Sequence, residues 1–86
     1  MQSAYHFYSD PGHGWLAVRR SELERLGLLG SISSFSYQDG DKVYLEEDCD
    51  AEVFFDAKDK LGEASNVIAS YTNEESEIRS YDCFSQ

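Results

Sequence analysis

Cysteine, basic residues and long apolar runs are all scarce in this sequence. Two cysteines in 86 residues, Cys49 and Cys83, are too few and too far apart for a disulfide scaffold. The first residues lack the basic-then-apolar pattern of a secretion signal, and no apolar run approaches the length of a membrane span. The expectation is a cytoplasmic protein with reduced thiols. Only seven Lys and Arg oppose seventeen Asp and Glu, for a formal charge of −10. That balance argues against direct contact with nucleic acid or an anionic membrane, and favours basic protein surfaces as partners. With no internal repeat, linker or low-complexity segment, residues 1–86 are expected to form a single domain, either a monomer or a small homo-oligomer.

What is present is apolar and aromatic. A hydrophobic content of 41%, with 14% aromatic residues, is too rich for a disordered chain. Each aromatic buries a large area, which makes a core feasible at this length. The charge is unevenly placed. Residues 1–38 balance three acids against three arginines, so the whole excess lies in residues 39–86.

In chain order, Ala4 to Tyr8 (AYHFY) reads as a strand, Ser9 to Gly14 (SDPGHG) as a turn, and Trp15 to Val18 (WLAV) as the returning strand of a hairpin. Ser21-Glu22-Leu23-Glu24 has the form of a capping box, opening a short helix that Gly27 stops. Ile32 to Tyr37 (ISSFSY) reads as an imperfect strand. Gln38-Asp39-Gly40-Asp41 reads as a hairpin turn, with Asp39-Gly40 supplying two positive-φ positions, and Lys42 to Glu46 as its partner strand.

A second helix is expected from a cap at Asp48 or Asp50 to about Leu61, ending at Gly62. Its buried stripe is Val53, Phe54, Ala57 and Leu61, with Phe55 beside it. Lys58 and Lys60 fall in its last turn, where the helix dipole prefers a cation. Val67 to Thr72 and Ile78 to Phe84 read as a final hairpin. The order predicts an α+β fold: a mostly antiparallel sheet of about 4–6 short strands with two short helices packed on one face.

Four chemistries are weighed on these residues. The acids near Asp39 miss the calcium-loop spacing, because Val43, Tyr44 and Asp50 stand where an oxygen ligand, glycine and glutamate belong. His6, His13, Cys49 and Cys83 lack the close pairing of structural zinc sites, and no metal or cofactor is expected. Ser9, Asp10 and His13 share a loop, but no oxyanion hole accompanies them, and the acids beside Cys49 disfavour a thiolate. The acidic surface itself remains. Asp39, Asp41, Glu46, Glu47, Asp48, Glu52, Asp56 and Asp59 are the candidate partner-binding residues, an array of carboxylates able to occupy a Lys/Arg groove that normally holds nucleic acid. Tyr37, Tyr44, Tyr71 and Tyr81 are candidate anchors.

The runs YHFYSDPGHGWLAVRRSELERLGL and SFSYQDGDKVYLEEDCDAEVFFDA resemble a family of small proteins encoded on bacteriophages, plasmids and other mobile elements. The resemblance spans residues 4–57 and includes Asp10-Pro11-Gly12-His13-Gly14-Trp15 and Glu46-Glu47-Asp48-Cys49-Asp50. It carries no catalytic or binding residues with it. It implies a context, the cytoplasm of a bacterial host, where many small acidic proteins block host defence. By size and charge the chain is similar to anti-CRISPR and DNA-mimic proteins. The leading expectation is therefore a non-enzymatic inhibitor that binds a nucleic-acid-handling complex, a CRISPR surveillance complex first among them. The alternative is an adaptor binding a protein through the aromatic hairpin Tyr5 to Trp15. A third is an enzyme or metal protein using the Asp10/His13 loop.

Overall fold

The computed structural model describes residues 3–86. Six strands, β1 (Ala4–Ser9), β2 (Gly14–Arg19), β3 (Tyr37–Asp39), β4 (Lys42–Glu46), β5 (Asn66–Tyr71) and β6 (Asp82–Cys83), form one sheet in the order β5-β1-β2-β4-β3-β6. All neighbours are antiparallel except β1 and β5, which run parallel. Two helices, α1 (Arg20–Arg25) and α2 (Asp50–Lys60), complete an α+β fold, with 3₁₀ turns at Leu29–Ser31 and Glu77–Ser80.

Strand register assigns the side chains to faces. Opposed pairs put Tyr5, Phe7, Leu16, Val18, Val43 and Leu45 on one face. There they join Leu23 of α1, Ala51 and Phe54 of α2, and Ile32 and Phe84 in one buried cluster. Burying Phe54 alone contributes about 2–3 kcal/mol of transfer free energy. The opposite face carries His6, Tyr8, Trp15, Ala17, Tyr37 and Tyr44. It is crossed by residues 72–81, which lead from β5 at one edge to β6 at the other. β2 is buried from Gly14 to Val18 because both faces are covered.

The first hairpin, both helix stops and the hairpin around Gly40 form where the sequence places them. Gly27, Gly40 and Gly62 adopt φ of 70°, 62° and 70°, which a side chain would oppose. Asp39 pairs with Lys42, so Gly40-Asp41 is the turn pair and only Gly40 has positive φ.

Several expectations are corrected. The last two strands do not form a hairpin, because each edge of the existing sheet offers an unpaired ladder: β5 joins β1 and β6 joins β3. The strand expected from Ile32 shrinks to β3, since Ile32 to Ser36 bend to deliver Ser33 and Ser36 to a buried carboxylate. The capping box does not form. α1 begins at Arg20, its N-cap Arg19 makes no side-chain cap bond, and Glu22 turns inward instead. Nor does an aspartate cap α2. Cys49 occupies the N-cap without a side-chain bond, while Asp50 accepts from Ser33 Oγ at 2.7 Å, Ser36 Oγ at 2.5 Å and the Ser33 amide at 3.1 Å. The buried stripe of α2 is Asp50, Ala51, Phe54 and Lys58, and Leu61 is 60% exposed.

Lys58 is fully buried. Its ammonium donates to Tyr5 Oη at 2.5 Å, lies 4.9 Å from that ring's centre, and sits 3.9 Å from Glu22 and 3.5 Å from Glu63. Arg25 closes the network, bonding Glu22 through Nε at 2.9 Å and Glu63 through both terminal nitrogens at 2.9 and 2.7 Å. A buried ammonium is tolerable only when partnered in this way. The arginine hydrogen bond is the main cause that lowers each of the two carboxyls, Glu22 and Glu63. Burial is the main cause that raises the Tyr5 phenol.

Candidate functional site

The Asp10-Pro11-Gly12-His13-Gly14 turn is fastened at Asp10. One carboxylate oxygen accepts from the amides of Gly12 and His13, each at 2.9 Å, the local bonding of an aspartate-initiated turn. Arg79 binds both oxygens, Nε to Oδ2 at 2.7 Å and Nη2 to Oδ1 at 2.8 Å, and the Ser76 amide adds a bond of 2.9 Å. This pairing ties the segment crossing the sheet to the first hairpin. Arg79 is the main cause holding the Asp10 carboxyl well below the usual carboxylate range. A Cβ on Gly12 would lie 2.8 Å from Arg79, and one on Gly14 would lie 2.4 Å from the Phe7 ring, so the spacing of the two glycines follows from these approaches. The His13 imidazole takes no part in binding Asp10, and its ring lies 6.0 Å from that of Trp15.

Beside this clamp lies a cleft of about 460 Å³, lined by His13, Trp15, Phe35, Tyr37, Glu46, Asp48, Cys49 and Arg79. Trp15 is 2% exposed and forms part of its wall, and Phe35 is 73% exposed at its edge. Tyr37 meets Trp15 edge-on at 6.2 Å. The Arg79 guanidinium sits 5.6 Å over Trp15. Glu46 spends one oxygen on the Asp48 amide at 3.1 Å. The runs Asp10 to Trp15 and Glu46 to Asp50, far apart in sequence, converge here because Trp15 and Glu46 are register partners.

The eight acids expected to bind a partner are spread along the molecule. Asp39 and Asp41 lie at the β3–β4 turn, while Glu46, Glu47 and Asp48 lie at the far end of β4, about 16 Å away at strand rise. Glu52, Asp56 and Asp59 follow along the exposed side of α2, which extends about 10 Å from the first to the last. Seven of the eight are exposed and Glu46 is half-buried. Glu46, Glu47, Asp48 and Glu52 share one end, and Asp39 and Asp41 stand apart from them.

Of the other residues considered, Tyr71 is 64% exposed, whereas Tyr37, Tyr44 and Tyr81 are half-buried. Burial is the leading cause that pushes the Tyr44 phenol up to about 12. Tyr5 and Trp15 of the first hairpin are interior, leaving His6, Tyr8 and His13 as its exposed rings. Among the described residues, no group of three His, Cys, Asp or Glu side chains converges as a metal site, and Cys49 and Cys83 are free thiols. No helix is long and apolar enough to cross a membrane among the described residues.

Arg79 and Phe35 had no local signal of a role at this site. The one cue for Arg79 is that it is a lone base in an acidic tail.

Fold and surface together define a small α+β protein whose carboxylates lie mostly outside and whose ion pairs lie mostly within. In comparisons with known proteins, no family model, no curated protein and no solved structure matches this chain.

Proposed function

We propose that this chain is a non-enzymatic binding protein that docks through its acidic surface on a basic, nucleic-acid-binding groove of a host protein complex. The inhibition of a defence complex such as a CRISPR surveillance complex is the leading form of this reading. The observation that supports it is how the charge is divided. The ion pairs among the described residues use only Asp10, Glu22 and Glu63 against Arg25, Lys58 and Arg79, and Asp50 is held by serines. That leaves thirteen acids facing four bases outside these networks, so nine of the ten net charges remain there. A surface of this kind repels nucleic acid and raises the rate of encounter with a Lys/Arg groove.

The test is capture of partners from bacterial lysate by the tagged chain, at stepped salt. A nucleic-acid-handling complex is expected to bind at low salt and to weaken by on the order of tenfold or more between about 50 and 200 mM. Glu46→Lys with Glu47→Lys is expected to lose it while retaining the native circular dichroism. A partner that holds equally at high salt and ignores both reversals would overturn the reading.

A further inference from the structure

We infer that the cleft beside Trp15 is a receptor for one arginine side chain of the protein on which this chain docks. The inference rests on the docking reading and names what the acidic surface grips.

Three observations converge on a guanidinium. The walls are aromatic, with Trp15 and Tyr37 in edge contact and Phe35 73% exposed at the mouth. Trp15, only 2% exposed, backs the wall, while half-buried Tyr37 and exposed Phe35 present the faces that attract a cation and cover the methylene stem behind it. Two carboxylates, Glu46 and Asp48, share the lining. Among the described residues only one oxygen of Glu46 takes a hydrogen bond, from the Asp48 amide, so acceptors remain for a planar, forked donor. The molecule also places a guanidinium of its own against the same wall, Arg79 at 5.6 Å from the Trp15 ring centre.

Arg79 does not compete for the role of ligand or attract an anion. Both Asp10 oxygens bind it, at 2.7 and 2.8 Å, so the charge left in the lining is that of Glu46 and Asp48. An anionic ligand would meet those carboxylates, and an apolar one would strip them of water without pairing them. The cleft, about 460 Å³, lies within the range of small-ligand sites. An arginine side chain with its adjoining peptide therefore fits better than a bare cation.

The experiment uses the full chain and four short blocked peptides, identical except for a central arginine, citrulline, lysine or glutamate, titrated under nuclear magnetic resonance. The arginine peptide is expected to shift the Trp15 indole and the amides of Phe35, Tyr37 and Cys49 saturably. Lysine should bind more weakly, and citrulline and glutamate should leave these signals in place. Glu46→Gln with Asp48→Asn, and separately Phe35→Ala, should each weaken arginine binding by on the order of tenfold with an unchanged fold. Phe35 is exposed, so its removal leaves the core intact.

Equal binding of citrulline, or shifts spread over α2 and the β3–β4 turn and indifferent to these variants, would overturn the cleft. The docking reading fails separately. A salt-sensitive partner that binds Phe35→Ala normally but is lost by Glu52→Lys with Asp56→Lys keeps docking and removes the arginine site. Arginine binding at the cleft without any salt-sensitive partner removes docking and leaves the receptor.

Discussion

The two faces of the sheet are closed by different means. On one, two helices seal a continuous apolar cluster, and Lys58, Glu22, Arg25 and Glu63 knit its margin with mutually bonded charges. On the other, residues 72–81, which include a 3₁₀ turn, cross the strands and are pinned chiefly where Asp10 meets Arg79 and Ser76, with Ile78 of the segment buried. The helix face draws its hold from many side chains at once. The crossing segment leans most on one carboxylate, with lesser holds where the Thr72 amide donates to the Ser9 carbonyl and the Tyr81 ring meets Tyr44, and the cleft opens beside that carboxylate. A binding surface is better placed on the cover with fewer fastenings, because local adjustment there leaves the main core undisturbed.

The sharpest way to break the contrast is to damage each face in turn. Phe54→Ala empties a fully buried site and is expected to cost about 3–5 kcal/mol, felt throughout the molecule in a denaturant melt. Asp10→Asn is expected to act more locally. The charge and one of the two acceptor oxygens facing Arg79 are lost, and amides around residues 76–81 should exchange with solvent faster while those of Leu16, Val18 and Val43 hold. If those three lose protection in step with the crossing segment, the faces are not separable.

Acid should sharpen the same comparison. Asp10, Glu22 and Glu63 are all depressed in the folded protein, from ordinary values of 3.8, 4.5 and 4.5. Each therefore stabilises the fold above its unfolded value and loses that contribution as pH falls through its folded one. The urea midpoint should decline as pH drops below about 4.5, and Asp10→Asn should flatten the lower part of that decline. A parallel decline in both proteins would mean that Asp10 contributes nothing to acid sensitivity. The smallest effect belongs to Ser21→Ala. Ser21 is exposed within α1 and caps nothing, so the change should stay within about 0.5 kcal/mol, whereas a true N-cap would cost about 1 kcal/mol.

Local signals held where glycine φ or turn chemistry decides, and failed at the two expected helix caps, where neither Ser21 nor an aspartate bonds the helix start. Glycine at 27 and 62 ends a helix because of its own φ, and the first hairpin follows from alternating aromatics around a Pro-Gly turn. What escaped was partner choice across distance. Val67 to Thr72 reads as a strand in any context, and nothing within it states that it lies parallel to β1. Lys58 carried a usable hint, since 51, 54 and 58 share a helix stripe, but a lysine in a last turn is ordinarily solvated. Asp10 was legible as a turn residue and illegible as the partner of Arg79, 69 positions away. The acids were legible as charge, while the cleft required four separate segments to meet.

The parallel pairing of β1 with β5 also sets the timing of assembly. Ala4 lies opposite Asn66, so on a ribosome β1 emerges and waits about 3–12 s before its outer neighbour exists. During that interval β2 can pair with it at once and β4 soon after, while the other edge of β1, with its aromatic side chains, stays open to any strand nearby. The nascent chain therefore completes its sheet from the middle outward, and its most vulnerable moment falls before β5 has been made.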